Sequence, residues 1–527
     1  MSGSVLSELA EPLRAAVNAA GGDGEPVRLD RPADTAHGDY ASAVALALAK
    51  PMKAAPRQIA ERIVEQLQSP WIEGAEIAGP GFINLRLQPG WYGHVVERVL
   101  DDGARFGAGA AAHPQRLQVE FVSGNPTGPV TVGSARNAAY GDSLARLFSF
   151  AGHEVEREYY FNDAGRQVDL FGESLRARGR GEEVPEDGYQ GEYVAGIAAQ
   201  LGLDPDAPLE QWTRAGSELM MAQIRATLAR FRVHFDSWFL ERSLYEDGSV
   251  ERAIERVRAA GHTYERDGAL WLRSSELGDD KDRVIVRSNG EPGYLAGDIA
   301  YIVSKMERGF DTAVYVLGAD HHGYMRRLKA AAAALGYDPE RVDVQLYQLV
   351  HLTEGRMSKR AGLVVTLDDL IDAVGVDAAR FVLVQRSHDQ TIDLDLDLLV
   401  QQNAENPVYY CQYAHARIAA VLRNAGDAAQ GARPAASWVP EPAEAALVKS
   451  LAEFPDMVAE AADWRGPHRV VSFMQDTAKE FHQFYGQCRV IGEAPDIQAS
   501  RLALCKATKQ VLATALDLIG VDAPEQM

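Results

Sequence analysis

VEFVSGNPTGPVTVGSARNAAYGD, residues 119–142, is the stretch on which the fold turns. It opens on a buried-type apolar run, breaks into a tight loop rich in Gly and Pro, and passes at once into helical spacing. In a parallel sheet that loop lies at the carboxyl end of the strands, against a helix N-terminus whose free N–H groups favour phosphate. The segment matches neither G-x-x-x-x-G-K-S/T nor G-x-G-x-x-G, so a P-loop and a dinucleotide fingerprint are excluded. On this segment alone, a nucleotide site and an ordinary strand-to-helix connection both remain open.

The same alternation continues on either side. LQVEFV (117–122) precedes a helix running from about 135 to Gly152, VYVLG (314–318) precedes MRRLKAAAAALG (325–336), and VQLYQLV (344–350) precedes a loop and another helix. This order predicts an α/β fold, a doubly wound, Rossmann-like parallel sheet over 113–396. Residues 171–275 are more polar and interrupted, and read as an insertion between the two halves of the sheet. Upstream, ASAVALALAK (41–50) and PRQIAERIVEQL (56–67) have helical spacing, and AGPGFINLRL (78–87) reads as a turn into a short strand, so an α+β unit occupies the start. DDGARFGAGAAAHP (101–114) reads as a linker, which puts the first boundary near 112. Residues 397–527 carry helical spacing without a convincing strand and predict an all-α bundle.

Composition bounds the functional classes. The chain has 527 residues, 46% hydrophobic and 24% charged, ordinary globular values that argue against disorder. Its 53 Lys+Arg against 75 Asp+Glu leave a net charge of −22, which excludes a uniformly basic coat and requires any polyanion to meet a local basic patch. Cys411, Cys488 and Cys505 are far apart and form no C-x-x-C, so neither a disulfide framework nor a cysteine-rich zinc site is expected. The start, MSGSVLSELAEPLR, has acids where a signal peptide would be apolar, and no apolar run approaches about 18 residues. A soluble, cytoplasmic protein with no membrane partner is the expectation.

A second segment, EGRMSKRAGLVVTLDDL (354–370), carries Met357, Ser358, Lys359 and Arg360 on a Gly-flanked loop after a strand. Cations on such a loop can close over a triphosphate and stabilise charge moving onto pyrophosphate. Alone, MSKR also reads as a solvated turn. Together the two segments resemble the paired motifs of class I aminoacyl-tRNA synthetases, and the detail resembles the arginyl-tRNA synthetase family over essentially the whole chain. HGDYAS (37–42), GPGFINLRL (79–87), EYYFNDAGRQVDLF (158–171), GADHHGY (318–324), DAARFVL (377–383) and NPVYYCQYAHARI (406–418) follow in family order.

The resemblance implies ATP-dependent activation of L-arginine, with Mg2+ on the nucleotide, and transfer of the arginyl group to the terminal adenosine of tRNA(Arg). It implies an arginine pocket of Glu120, Asn125, Tyr294, Asp298 and His322, with Asp298 facing the guanidinium, Tyr294 positioning it, and Glu120 with Asn125 at the α-amino end. A guanidinium does ask for carboxylates and planar acceptors. Tyr294 and Asp298 could equally be an i,i+4 surface pair. ATP contacts are expected from Gly133, His321, Met357 and Lys359. His321 and His322 are neighbours pointing in different directions, which speaks against a shared metal, and no structural metal is expected. Asp393, Asp395 and Asp397 alternate with apolar residues as a solvated edge would.

One departure stands out. Where the family has HxGH, this chain has Thr131, Val132, Gly133 and Ser134. Two hydroxyls and the helix-start N–H groups are then left to contact phosphate, without charge assistance. A non-catalytic arginine- or tRNA-binding paralogue is the rival reading, and it rests on Thr131 and Ser134 alone. For tRNA, the resemblance assigns 397–527 to anticodon binding, with a cationic, acid-free stretch IQASRLALCKATKQVL (497–512), and places Phe82 and Asn84 where the family grips a base of the tRNA elbow. Phe82 could also be simple core. A monomer is expected.

Overall fold

Five parallel strands form the centre of the molecule in the computed structural model, which describes residues 4–23, 27–352 and 365–527. The strands are β1 (Arg116–Glu120), β2 (Glu154–Phe161), β3 (Ser237–Leu240), β4 (Thr312–Gly318) and β5 (Val342–Tyr347), in the spatial order β5-β4-β1-β2-β3. Their register places Glu120 between Tyr315 of β4 and Glu158 of β2. The chain runs outward from β1 through β2 and β3, then returns to lay β4 on the other side of β1. The crevice above β1 and β4 is therefore the switch point at which open α/β sheets bind ligands.

Helix α1 (Val132–Ala151) leaves the β1 crossover and is buried along most of its length, because small residues face the sheet and the helical domain on opposite sides. Gly141 is required there: a Cβ would lie 2.4 Å from the Phe121 ring. Gly152 ends the helix in the left-handed conformation that glycine adopts without strain. Helices α2 (Tyr294–Glu307) and α3 (His322–Ala334) flank β4 and fill a second core through Leu295, Ile299, Ile302 and Leu328. The 171–275 stretch is mostly helical, but it also supplies β3, the edge strand of the main sheet. Its four residues, SWFL, are too short to stand out as a strand among charged neighbours.

The N-terminal unit pairs strands Tyr40–Ser42, Phe82–Leu87 and Ile72–Ala78 in an antiparallel sheet, packed by Leu13, Val17, Leu48, Ile59 and Ile83. The 101–114 stretch is not a bare tether. Phe106 is buried, its ring 6.2 Å from that of Phe454, and Asp101 pairs with Arg433 at 2.7 Å, so the segment is docked onto the helical domain. That domain includes α4 (Pro407–Ala425) and α5 (Pro495–Leu518). Arg380, fully buried, joins it to the catalytic core: its guanidinium donates to Asp142 of α1 at 2.6 Å, to the Phe231 carbonyl at 2.9 Å and to the Ile519 carbonyl at 2.8 Å. Ile392 and Leu394 are buried while Asp393 between them is exposed, and Asp395 caps the helical turn that follows by accepting from Leu398 N. Among the described residues, no helix is long and apolar enough to cross a membrane.

Candidate active site

The crossover from β1 to α1 is held under strain. Val122 has φ 65°, a left-handed conformation that a β-branched residue adopts only when its surroundings enforce it. Asn137 enforces it: its Oδ1 accepts from Val122 N at 3.0 Å while its Nδ2 donates to the Val316 carbonyl at 3.0 Å, clipping the loop to the neighbouring strand. Beyond this turn the chain pairs again with β2, Gly124 N donating to Tyr160 O at 3.1 Å, and Asn125 Nδ2 donates to Asn162 O at 3.3 Å.

Thr131 caps α1. Its Oγ1 accepts from Ser134 N at 3.3 Å and lies 3.4 Å from Ser134 Oγ, so the two hydroxyls face one another. Val132 N donates to Val365 O, and Leu367 N to Val130 O. The expectation of open helix-start N–H groups is thus narrowed, because the Val132 and Ser134 N–H groups are engaged by the protein's own cap and by the 365–367 segment. Gly133 follows the cap within the same turn. Arg136, fully buried on the same helix, donates to the carbonyls of Gln348, Ser387 and Gln390. Met357, Ser358, Lys359 and Arg360 lie outside the described residues.

An acidic cluster occupies the other half of the crevice. Asp298, half-buried on α2, accepts from Tyr324 Oη, and burial foremost raises its carboxyl to about 6 despite that hydrogen bond and the nearby Arg327; Glu120 adds to the rise. Glu241, just past β3, is pushed to about 7 by burial and then by the charge of Asp298, with Tyr160 hydrogen-bonded to it. The Asn162 amide, oriented to satisfy both of its ends, donates to Glu241 Oε2 at 2.5 Å and Ala164 O at 3.1 Å. Glu120, at the end of β1, is bound through Oε2 by Lys305 Nζ at 2.5 Å. Three carboxylates therefore act on one another across one crevice, and of these Glu120 is already paired from behind by the buried Lys305 ammonium.

Not every predicted residue joins this cluster. Glu120 and Asp298 do, while Asn125 reaches only the Asn162 backbone carbonyl. Tyr294 is 88% exposed, its ring under the Arg287 guanidinium at 5.4 Å. His321 and His322 are exposed where β4 turns into α3, with His321 Nε2 3.6 Å from Asp320 Oδ2. Glu241 was not anticipated from sequence: it follows a four-residue strand inside the supposed insertion, and only the pairing of β3 with β2 brings it beside Asp298. Far from the crevice, Phe82 is 40% exposed and Asn84 is buried on the same face of the N-terminal sheet.

Three family models match successive parts of the chain. Residues 7–87 match the family model described as arginyl tRNA synthetase N terminal domain. Residues 95–194 and 190–420 match that of tRNA synthetases class I (R), catalytic domain, and residues 411–527 match the DALR anticodon binding domain. A Campylobacter jejuni structure assigned as an arginyl-tRNA synthetase is 32% identical, covering 84% of this chain and 100% of its own, with TM-score 0.79. The Thermus thermophilus arginyl-tRNA synthetase is 25% identical over 99% of this chain and 100% of its own, with TM-score 0.81. A Mycobacterium tuberculosis methionyl-tRNA synthetase shares the fold alone, at 14% identity over 77% of this chain and 91% of its own, with TM-score 0.56.

Proposed function

The chain belongs to the arginyl-tRNA synthetase family and is a class I arginine–tRNA ligase with arginine, ATP and tRNA as substrates, and from that premise we propose how its own residues divide the work. The observation that carries the proposal is the convergence of Glu120, Asp298 and Glu241 at the switch point, beside the start of α1.

Asp298 and Glu241 receive the guanidinium, a planar cation suited to paired carboxylates. Glu120 and Asn125 hold the α-ammonium, and His322, at the start of α3 and two residues before Tyr324, borders the same pocket. Tyr294 covers the guanidinium after rotating inward from its exposed position. With the amino acid so placed, its carboxylate attacks the α-phosphorus of ATP and pyrophosphate leaves. Thr131 and Ser134 donate their hydroxyl protons to phosphate oxygens, Gly133 lets the backbone approach the nucleotide, and His321 borders the adenosine. Lys359 and Arg360 supply the charge that the hydroxyls lack, with Met357 and Ser358 beside them contributing contacts to the nucleotide. Mg2+ enters with ATP on the phosphate oxygens as part of the substrate.

A ribose hydroxyl of the 3′ adenosine of tRNA(Arg) then attacks the carbonyl of the arginyl-adenylate, forming the ester as AMP leaves. Phe82, exposed, stacks on an unpaired base of the tRNA, with Asn84 beside it, and the helical domain binds the anticodon region. The protein works as a monomer in the cytoplasm. The deciding experiment is arginine-dependent charging of purified tRNA(Arg) by the purified full chain with ATP and Mg2+. Absence of charging, with arginine and tRNA still bound, would establish the non-catalytic paralogue instead.

A further inference from the structure

A buried lysine stands behind the arginine pocket. Lys305 lies on α2, two turns beyond Asp298, and is fully buried. Its Nζ is 2.5 Å from Glu120 Oε2, 3.6 Å from the centroid of the Tyr315 ring and 4.2 Å from that of Tyr301. These contacts enclose the ammonium, so it does not face the crevice. Burying an ion pair is rarely the most stable way to fill a core, since apolar residues of similar volume often do as well. A lysine retained there calls for a reason beyond packing.

The adjacent carboxylate feels the charge of Lys305 but takes its hydrogen bonds from other residues. Glu158, next to Glu120 in the sheet register, is held by Arg308 at 2.6 Å and by Tyr301 and Gln118. Lys305 instead makes its one ion pair among the described residues with Glu120. Burial pulls the lysine below its ordinary range, and the charges of Glu120 and Glu158 oppose that pull. Because a carboxylate is planar, fixing Oε2 on Lys305 also fixes the direction of Oε1.

We propose that Lys305 is a positioning residue for the amino end of the substrate, setting the Glu120 carboxylate so that its second oxygen meets the α-ammonium of arginine. The proposal rests on the assignment of Glu120 to that ammonium. It makes a chemical distinction: Lys305 matters to ligands that carry an amine at the α-carbon and is indifferent to the guanidinium, which other carboxylates hold.

The test compares equilibrium binding of three ligands to the full chain. Arginine has guanidinium, amine and carboxylate; agmatine lacks the carboxylate; 5-guanidinopentanoate lacks the amine. Lys305→Met should weaken arginine and agmatine tenfold or more and change 5-guanidinopentanoate less than twofold. Equal weakening of all three would mean general damage to the pocket and would overturn the proposal, as would unchanged arginine binding.

Glu120→Gln tests the underlying assignment separately. If it leaves arginine affinity intact, Glu120 does not hold the ammonium, and the proposal falls with that reading. If it weakens arginine, Glu120→Gln/Lys305→Met should bind arginine no worse than Glu120→Gln alone, whereas a further tenfold loss would show Lys305 acting independently of Glu120. Should Lys305→Met fail to fold, the comparison of this charge-neutral double variant with Glu120→Gln decides the matter.

Discussion

Glu241→Gln probes the cation pocket most directly, because two effects of opposite sign follow from one atom. In the free protein the Glu241 carboxyl is raised to about 7 by burial and by Asp298. An unfolded glutamate titrates at ~4.3, and each pH unit of displacement is worth about 1.4 kcal/mol, which gives ~3–4 kcal/mol in full. Partial contact with solvent screens that to about 1–2 kcal/mol. The sign is set by the raised value: the native state holds the proton more tightly, so the stability it contributes is complete below pH ~4, declines as pH rises, and is lost above pH ~7.

Glutamine carries no such charge, and the Asn162 amide can turn to pair with it. At pH 8 the variant should therefore be more stable than the native chain by about 1–2 kcal/mol, a midpoint roughly 1–2 °C higher, and at pH 4.5 the gain should vanish. Arginine binding should move the other way. Removing one of two carboxylates from a bound guanidinium should cost about 2–3 kcal/mol, or roughly 30- to 150-fold in affinity. Thermal unfolding at the two pH values and calorimetric titration with arginine measure both. Arginine affinity within threefold of native, or a stability gain independent of pH, would refute the placement of Glu241 in the pocket.

Other outcomes follow from the site and from the sequence motifs. Because Asp298 and Glu241 are raised to about 6 and about 7, arginine binding at pH 6.5 should release protons and tighten up to about pH 8; calorimetry in buffers of different ionisation enthalpy measures the release, and none would contradict the site. Thr131→Ala/Ser134→Ala should lower arginine activation on the order of 10²-fold with arginine affinity unchanged, as when preorganised donors are removed elsewhere, read by pyrophosphate exchange. Lys359→Ala should lower the turnover number more than it weakens ATP binding, and equal losses would mean that it only holds the nucleotide. Arg380→Met should destabilise the chain by about 2–4 kcal/mol by stranding buried Asp142, which Arg146 at 2.7 Å only partly compensates; denaturant unfolding reads the loss.

Sequence alone determined the features that local chemistry dictates. A buried-type run ending in a Gly/Pro loop can hardly form anything but a strand crossing into a helix, so β1, α1 and the parallel sheet were legible, as were the all-helical end of the chain and the solvated Asp393 edge. The substitution of Thr131 and Ser134 was legible too, since it is a matter of residue identity. What tertiary structure decided was proximity between residues distant in the chain. Glu241 became part of the pocket only because a four-residue strand, too short for its periodicity to register, pairs with β2. Phe106, together with backbone bonds from Gly109 and Ala111 to the end of α1, turned an apparent linker into a docked segment. The pairing of Lys305 with Glu120 depends on α2 packing across β1 and β4, 185 positions along the chain, and no spacing rule reaches that far. Periodicity reports the face a residue presents to its own element; charge compensation inside a core depends on which elements meet, and that is settled only when the chain has folded.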